Sequence, residues 1–258
     1  MTGLTLAGAP IHDGLEAILF DKDGTLFDIH AYWCAIVRMR AELAVAEWFA
    51  PLPAARRAAI ETAVAERLGA TAAGRIRPEG PVGARPRREV AEAMAGALVE
   101  LGARVTAAEV ETRVFQPVDA RSEESLGELS VLLPGVRTLL SACRLRNVRA
   151  AIITNDVTRR AEGMLRAHRI DHLFDTVIGS DRVSRAKPAA EPALAALAAL
   201  GCAAEAAAAI GDHPGDVEMA LAAGIGCRVA VLTGTHGREA FSGLRCHLAA
   251  TLDAVGLA

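Results

Sequence analysis

Two aspartates, Asp21 and Asp23, follow directly after the apolar run Ala17–Phe20, within the sequence DKDGT. Because the carboxyl end of a strand faces the crevice where open α/β sheets bind ligands, Asp21 is predicted to act there as a nucleophile. An aspartate carboxylate can attack phosphorus and form an acyl phosphate. Asp23 is predicted to protonate the leaving oxygen and later to accept a proton from water. The alternative is an ordinary strand-to-turn junction, where Asp and Gly are common.

Two further clusters supply groups that could hold a phosphoryl group. An apolar run ends at Thr154, whose hydroxyl and neighbouring backbone N–H groups are predicted to bind phosphoryl oxygens. Lys187 precedes an alanine-rich helix predicted to start near Ala190, and it is predicted to neutralise phosphate charge. Each residue alone has an alternative reading: a turn without function for Thr154 and a solvated surface lysine for Lys187.

An acidic loop, DHPGD, follows the apolar stretch Ala207–Ile210. Magnesium prefers oxygen ligands, and Asp21, Asp23 (through its carbonyl) and Asp212 are predicted to supply them. Asp216 is predicted to bind the metal or to orient a bound water, the alternative being that it is the N-cap of the following helix. The cofactor prediction is therefore Mg²⁺, and His213 receives no role.

Short apolar runs alternate with helical stretches through most of the chain, which is typical of a parallel sheet flanked by helices. The run at Ala17 is predicted to be the first strand. The predicted strands are 17–20, 150–153, 176–178, 207–210 and 229–232. The fourth is predicted mainly from the IGD that ends it, because alanine alone favours helix. The fold class is therefore α/β, with a Rossmann-like core.

The segment between the first two predicted strands has a different character. Its helical patterns are 32–49, 54–68, 88–102 and 106–115. A simple crossover needs only about a dozen residues, so this segment is predicted to be an inserted all-helical cap. The predicted domains are a core of 1–28 and 129–258 and a cap of 29–128.

A Gly- and Pro-rich loop at 74–86 lies inside the predicted cap, with five arginines in it or beside it. They are Arg75, Arg77, Arg85, Arg87 and Arg88. We predict that Arg77 and Arg85 bind a substrate carboxylate or second phosphate, since a guanidinium pairs with such groups in bidentate fashion. The alternative is a solvated basic loop.

Taken in order, FDKDGTLFD, ITN, the lysine of RAKPAAEPAL and IGDHPGDVEMALAAGI resemble the four motifs of the haloacid dehalogenase superfamily, in its phosphoglycolate-phosphatase-like branch with a helical cap. The resemblance covers about 17–28 and 133–234. It implies magnesium-dependent hydrolysis of a small phosphate monoester, phosphoglycolate-like or a sugar phosphate, through an aspartyl phosphate on Asp21. It also implies that Asn155 binds phosphate, and Gly24 is expected among the substrate-binding residues. Members that cleave carbon–halogen bonds lack the second aspartate, so dehalogenation is not expected.

Composition limits the classes of binding partner expected for this chain. A formal net charge of -3 without a sustained basic block argues against nucleic acid. The stretch Pro192–Ile210 is mostly alanine and carries Glu205, so no membrane span is expected, and a cytoplasmic location is predicted. Five cysteines without a CxxC pair disfavour a disulfide framework and a zinc site. The expected partner is a small phosphorylated metabolite, and the oligomeric state stays open.

Two other functions stay open at this point. A phosphomutase or phosphotransferase on the same fold would pass the phosphoryl group to a sugar rather than to water, and cap residues decide between these outcomes. A non-catalytic binding protein is the second alternative. It would have no need of the four groups Asp21, Asp23, Lys187 and Asp212 together.

Overall fold

A computed structural model describes residues 2–83 and 85–258. The chain divides into two compact units. The first contains the N-terminal stretch up to Asp28 together with Val131–Ala258, and the second is Ile29–Ser130. The chain therefore passes back into the first unit between Ser130 and Val131. From the sequence, this boundary was predicted between residues 128 and 129.

A six-stranded, all-parallel sheet forms the centre of the first unit, with strand order β5-β4-β3-β6-β7-β8. Its strands are β3 Ala17–Phe20, β4 Arg149–Ile153, β5 Thr176–Ile178, β6 Ala207–Gly211, β7 Cys227–Val231 and β8 His247–Ala249. Every residue of β3 and β6 is buried, as expected for parallel strands covered on both faces. The predicted α/β fold class is confirmed, and the alanine run of β6 is a strand because it lies at the middle of this sheet.

Four helices cover the sheet. They are α7 Val136–Leu145, α8 Thr158–Ala167, α9 Glu191–Leu200 and α10 Pro214–Ala222. Alternate residues of β3, β4 and β6 pack with α9 and α10 in one apolar cluster that includes Leu19, Ile153, Leu197 and Met219. This period-two pattern fixes which side chains of each strand face these helices.

A second, antiparallel sheet was not predicted from the sequence. It has the strand order β2-β1-β9 and consists of β1 Leu4–Leu6, β2 Ala9–His12 and β9 Val255–Leu257. The prediction that Ala17–Phe20 is the first strand is therefore wrong, because β1 and β2 precede it. The edge strand β2 contains Pro10, which a central strand would not accommodate.

The described residues of the second unit form helices and one isolated bridge between Ala70 and Ile76. The helices are α1 Ile29–Trp48, α2 Ala54–Arg67, α3 Arg87–Glu100, α4 Ala107–Val110, α5 Gln116–Ser122 and α6 Leu126–Leu129. The single helix predicted at 106–115 begins with a capping box at Thr106 and passes through a π-helical turn, Glu111–Phe115, into α5. Among the helices described for residues 2–83 and 85–258, none is long and apolar enough to cross a membrane.

Candidate active site

Adjacent strands bring Asp21 and Asp212 together. β3 and β6 pair in parallel with Phe20 opposite Ile210, and the Asp21 N–H donates to the Ile210 carbonyl at 2.8 Å. The residues that follow the two strand ends therefore lie side by side. One potential ligand atom each from Asp21, Asp212 and Asp216 lies within 4.8 Å of the other two. We call these three residues the carboxylate cluster.

Two glycines make room for Asp212, whose side chain is almost fully buried. A Cβ added to Gly24 would lie 2.9 Å from Asp212 Oδ1, and one added to Gly234 would lie 2.7 Å from Asp212 Cβ. Gly24 also has a φ of +84°, which favours glycine. The Thr25 hydroxyl donates to Asp212 Oδ1 at 3.3 Å. Gly24 thus shapes the space around this carboxylate, and its predicted contact with substrate stays a prediction.

Lys187 contacts two members of the carboxylate cluster. Its ammonium donates to Asp21, to Asp216 Oδ1 at 2.7 Å and to the Ile153 carbonyl at 3.1 Å. Its side chain is only 8% exposed, so the alternative of a solvated surface lysine is wrong. The Lys187 backbone N–H donates to Asn155 Oδ1 at 3.1 Å. The side chain of Asn155 therefore helps to place the segment that carries this lysine.

Thr154 lies at the end of β4 and is buried. Its hydroxyl oxygen accepts a hydrogen bond from the Asp156 N–H at 3.0 Å. This bond leaves the hydroxyl proton of Thr154 for another acceptor. The structure thus places Thr154, Asn155 and Lys187 at neighbouring positions of one loop cluster beside Asp21.

Asp216 accepts a backbone hydrogen bond at the start of α10. The N-cap of this helix is His213, whose Nδ1 accepts from the Gly215 N–H at 2.9 Å, while Asp216 Oδ2 accepts from the His213 N–H at 3.0 Å. The alternative that Asp216 is the N-cap is therefore wrong. His213, given no role from the sequence, forms the cap and packs edge-on against His236 at 4.5 Å between ring centroids.

The side chain of Asp23 contacts a residue that sequence analysis missed. Lys22 Nζ lies 2.9 Å from each oxygen of the Asp23 carboxylate and 3.2 Å from Asp156 Oδ2. The Lys22 side chain is fully buried. In the sequence, Lys22 is only the residue between two aspartates, and its burial depends on Asp156, far away in the chain.

Burial and crowding raise the proton affinity of two carboxylates of the cluster, Asp21 and Asp212. Burial raises the pKa of Asp21 to about 6, with Asp216 and Asp23 adding to the effect and Lys187 opposing it. Burial and the charges of Asp21 and Asp216 raise the pKa of Asp212 well above its usual range. Burial lowers the pKa of Lys187, but Asp21 and Asp216 outweigh this effect and raise it overall. Three carboxylates with one ammonium leave an excess of negative charge.

This excess fits a divalent cation. The three carboxylates offer oxygen ligands at a spacing that one ion can bridge, and oxygen is the donor that Mg²⁺ prefers. The buried cluster has a deficit of positive charge that a bound cation would offset. The donor set of this chain is therefore suited to magnesium.

Arg77 and Arg85 lie in the second unit and are exposed. The Arg77 guanidinium donates to the Glu66 carbonyl. Of the other arginines in this region, Arg87 is mostly buried and paired with Glu111 and Asp119, while Arg88 is 82% exposed. Arg87 is therefore held by its own unit, and the predicted roles of Arg77 and Arg85 stay predictions.

The site is thus an acidic cluster that contains a lysine and lies at the carboxyl ends of parallel strands in an α/β fold. The chain belongs to the haloacid dehalogenase-like hydrolase family, which it matches over residues 15–224. The resemblance inferred from the four motifs is thus confirmed. The match covers all members of the carboxylate cluster.

The chain is also similar to a curated relative in sequence and to solved structures in fold. The chain is 29% identical over 222 residues to a phosphoglycolate phosphatase of Pseudomonas putida, covering 86% of this chain and 71% of the relative. A predicted phosphoglycolate phosphatase from Haemophilus somnus has a similar fold, with a TM-score of 0.67, 21% identity and coverage of 93% and 96% of the two chains. CbbY from Rhodobacter sphaeroides in complex with phosphate has a TM-score of 0.63 at 20% identity, covering 92% and 95%.

Proposed function

We propose that this protein is a magnesium-dependent phosphatase that hydrolyses a small phosphate monoester through a covalent intermediate on Asp21. The observation that carries the proposal is the carboxylate cluster with Lys187 at its centre. A carboxylate can serve as the nucleophile of phosphoryl transfer, and it needs adjacent positive charge to accept an anionic substrate. Family membership supports the hydrolytic chemistry.

In the first step, an Asp21 oxygen forms a bond to phosphorus while the bond from phosphorus to the leaving oxygen breaks. Protonated Asp23 gives its proton to that oxygen, so the product leaves as an alcohol. In the second step, Asp23 takes a proton from water as the water oxygen attacks phosphorus. The acyl–phosphate bond then breaks, which restores Asp21 and releases inorganic phosphate.

The other site residues hold the transferring group. The Thr154 hydroxyl and the Asn155 amide donate hydrogen bonds to phosphoryl oxygens, and Lys187 offsets their charge. Asp21, Asp212, Asp216 and the Asp23 carbonyl would hold Mg²⁺, directly or through a bound water. When bound, the ion supplies positive charge that lets an anionic phosphate approach an anionic nucleophile.

A small phosphorylated metabolite of the phosphoglycolate type is the proposed substrate class. The name of the Pseudomonas putida relative supports it, and the similarity of fold to CbbY leaves sugar phosphates in the same class. We propose that the helical unit Ile29–Ser130 acts as a cap that selects the substrate. Its exposed Arg77 and Arg85 are available to pair with a substrate carboxylate.

A phosphate-release screen tests the proposal. The protein is incubated with 2-phosphoglycolate and a panel of sugar phosphates, with and without Mg²⁺. We expect release that requires Mg²⁺ and that is lost in Asp21→Asn. Asp253→Asn, which changes an exposed aspartate of the same unit, serves as the control and should retain activity.

The same reactions distinguish the alternative functions. A phosphomutase or phosphotransferase would convert a hexose phosphate into an isomer instead of releasing phosphate. A β-phosphoglucomutase assigned to Thermotoga maritima shares the fold at a TM-score of 0.63 and 22% identity, which makes this control necessary. No turnover of any phosphomonoester with Mg²⁺ present would favour a non-catalytic binding protein.

The substrate role of the cap arginines has its own test. Arg77→Ala and Arg85→Ala should each raise KM for a substrate with a second anionic group by several-fold, while kcat changes little. The control is Arg67→Ala, which removes an exposed arginine paired with Glu100 in the same unit. Unchanged KM values in both variants would contradict the role of these arginines.

A further inference from the structure

The chain uses arginine for nearly all of its basic residues. Lys22 and Lys187 are the only lysines among its 28 basic residues. Both are buried and both contact carboxylates. A lysine carries a compact charge with three donors, whereas arginine presents a planar fork, so the two are not interchangeable at a buried site. Lys187 has a role in the proposed mechanism, but Lys22 has none so far.

Lys22 is the centre of a row of alternating charges. Its ammonium contacts both oxygens of Asp23 at 2.9 Å, Asp156 Oδ2 at 3.2 Å and the sulfur of Met164 at 3.4 Å. The other oxygen of Asp156 contacts Arg160 Nη1 at 3.1 Å. All four charged residues of this row are buried. In its described contacts, the row pairs two cations with two anions.

The row restrains the Asp23 carboxylate. An aspartate side chain at a turn can rotate about two bonds, and each rotation moves the oxygen that transfers the proton. Lys22 is itself held on its far side by Asp156, which Arg160 of α8 holds in turn. Asp23 is thus connected to α8 through Lys22, Asp156 and Arg160. Restraint of this kind is what precise proton transfer requires.

We propose that Lys22 is a positioning residue that restrains the orientation of the Asp23 carboxylate when Asp23 exchanges a proton with the leaving oxygen. The inference rests on the proposed phosphatase function, because the orientation of Asp23 matters only when it exchanges a proton with substrate. Lys22 acts through Asp23 and does not touch the reacting atoms.

Leaving-group dependence tests this role. The leaving alkoxide of 2-phosphoglycolate needs a proton, whereas the nitrophenolate of p-nitrophenyl phosphate is stable as an anion. In Lys22→Met, kcat for 2-phosphoglycolate should fall by about tenfold or more relative to kcat for p-nitrophenyl phosphate, with KM little changed. If 2-phosphoglycolate is not a substrate, the alkyl phosphate hydrolysed fastest in the screen takes its place. Equal losses with both substrates, or no loss, would overturn the proposal.

A double-mutant cycle gives an independent readout. If Lys22 acts through Asp23, Lys22→Met should cause no further loss of alkyl phosphate turnover in an Asp23→Asn background. A further loss in that background would mean that Lys22 has a different role. Met164→Leu, which changes the uncharged neighbour of Lys22 at similar volume, is the control and should keep the ratio of the two kcat values unchanged.

A folding defect and a failure of the proposed function remain distinguishable. Thermal unfolding is measured for each variant, and if Lys22→Met does not fold, Asp156→Asn replaces it. This substitution removes the negative charge that contacts Lys22 on the side away from Asp23. It should lower kcat for 2-phosphoglycolate relative to kcat for p-nitrophenyl phosphate, by less than Lys22→Met does. An equal loss with both substrates again overturns the proposal. A wild-type protein that hydrolyses neither substrate refutes the phosphatase function and the role of Lys22 together.

Discussion

The two units each contain a cluster of charged side chains, buried in the α/β unit and only partly buried in the helical unit, and the clusters differ in charge balance. In the helical unit, Arg40 is 2% exposed, lies 3.8 Å from the centre of the Phe115 ring and contacts Asp119 at 3.4 Å. Arg87 contacts the same aspartate at 2.6 Å and Glu111 at 2.8 Å. We call these four charged residues the arginine cluster. It links α1 and α3 to the π-helical turn and α5.

The arginine cluster pairs two cations with two anions, whereas the carboxylate cluster sets three anions against Lys187. A balanced, partly buried cluster pairs its own charges and holds helices together. An unbalanced one raises the pKa of its own carboxyl groups, as in Asp21 and Asp212, and is stable as an ionised set only with additional positive charge. Charge balance therefore separates a structural cluster from a candidate binding site in the same molecule.

Removal of the one cation from the unbalanced cluster should have the largest effect. In Lys187→Met we expect kcat to fall by about 10³-fold, as when a group that stabilises transferring charge is lost. The variant should also unfold more easily in metal-free buffer, and Mg²⁺ should restore part of this loss. Initial rates and thermal unfolding with and without Mg²⁺ measure both effects. Wild-type kcat in this variant would contradict the proposed site.

Removal of a cation from the balanced cluster should impair stability instead. We expect Arg40→Met to lower the free energy of unfolding by about 3 kcal/mol, because a buried ion pair and the contact with Phe115 are lost. Urea unfolding measures the change. The control is Arg67→Met, an exposed arginine whose loss should change the free energy of unfolding by less than about 1 kcal/mol. Equal changes in the free energy of unfolding for Arg40→Met and Arg67→Met would contradict a larger contribution of the Arg40 pair than of the exposed Arg67 pair.

Magnesium should stabilise the wild type through the unbalanced cluster. At a concentration about 100 times its dissociation constant, a ligand of the folded state adds about 2.7 kcal/mol of stability. Asp212→Asn removes one expected ligand, so its gain from Mg²⁺ should be smaller, while its stability in metal-free buffer should match or exceed that of the wild type. An equal magnesium gain in both proteins would place the ion elsewhere.

The pH dependence of stability should reflect the excess of negative charge in the carboxylate cluster. Asp21 has a pKa of about 6 in the folded protein and 3.8 as its ordinary value, so the unfolded state loses its proton first. In metal-free buffer the wild type should therefore lose about 2 kcal/mol of stability as pH rises from about 4 to about 6. Asp21→Asn should lack this part of the decrease and keep the part that Asp212 contributes, because the pKa of Asp212 is also raised. Thermal unfolding of both proteins across this pH range is the measurement, and parallel curves would contradict the raised pKa.

The central part of the fold could be predicted because apolar runs and polar strand ends coincide in the sequence. Ala17–Phe20 and Ala150–Ile153 are buried strands followed at once by polar residues. The strands β1, β2, β8 and β9 escaped prediction because each is short and only partly buried, without the continuous apolar run that marks β3. Strands this short depend on their partners rather than on local propensity.

The candidate site was predictable where a residue type has a direct chemical use, as for Asp21, Lys187 and Asp212. Lys22 could not be predicted, since only the folded chain places Asp156 against its ammonium. Similarly, His213 gives no sequence signal for its cap, because Ser, Thr, Asp and Asn are the usual N-cap residues. The π-helical turn at Glu111–Phe115 contains Glu111, which pairs with Arg87 of α3, and no local sequence pattern encodes that contact.

The pairing of β1 with β9 has a consequence for protein engineering. Gly3 and Ala258 exchange backbone hydrogen bonds, at 3.3 Å and 2.9 Å, so these two positions are neighbours in space. A circular permutant that runs from Val131 to Ala258 and on through a short linker to Gly3 would turn the discontinuous α/β unit into one uninterrupted polypeptide. The helical unit could then be omitted or exchanged as a single block.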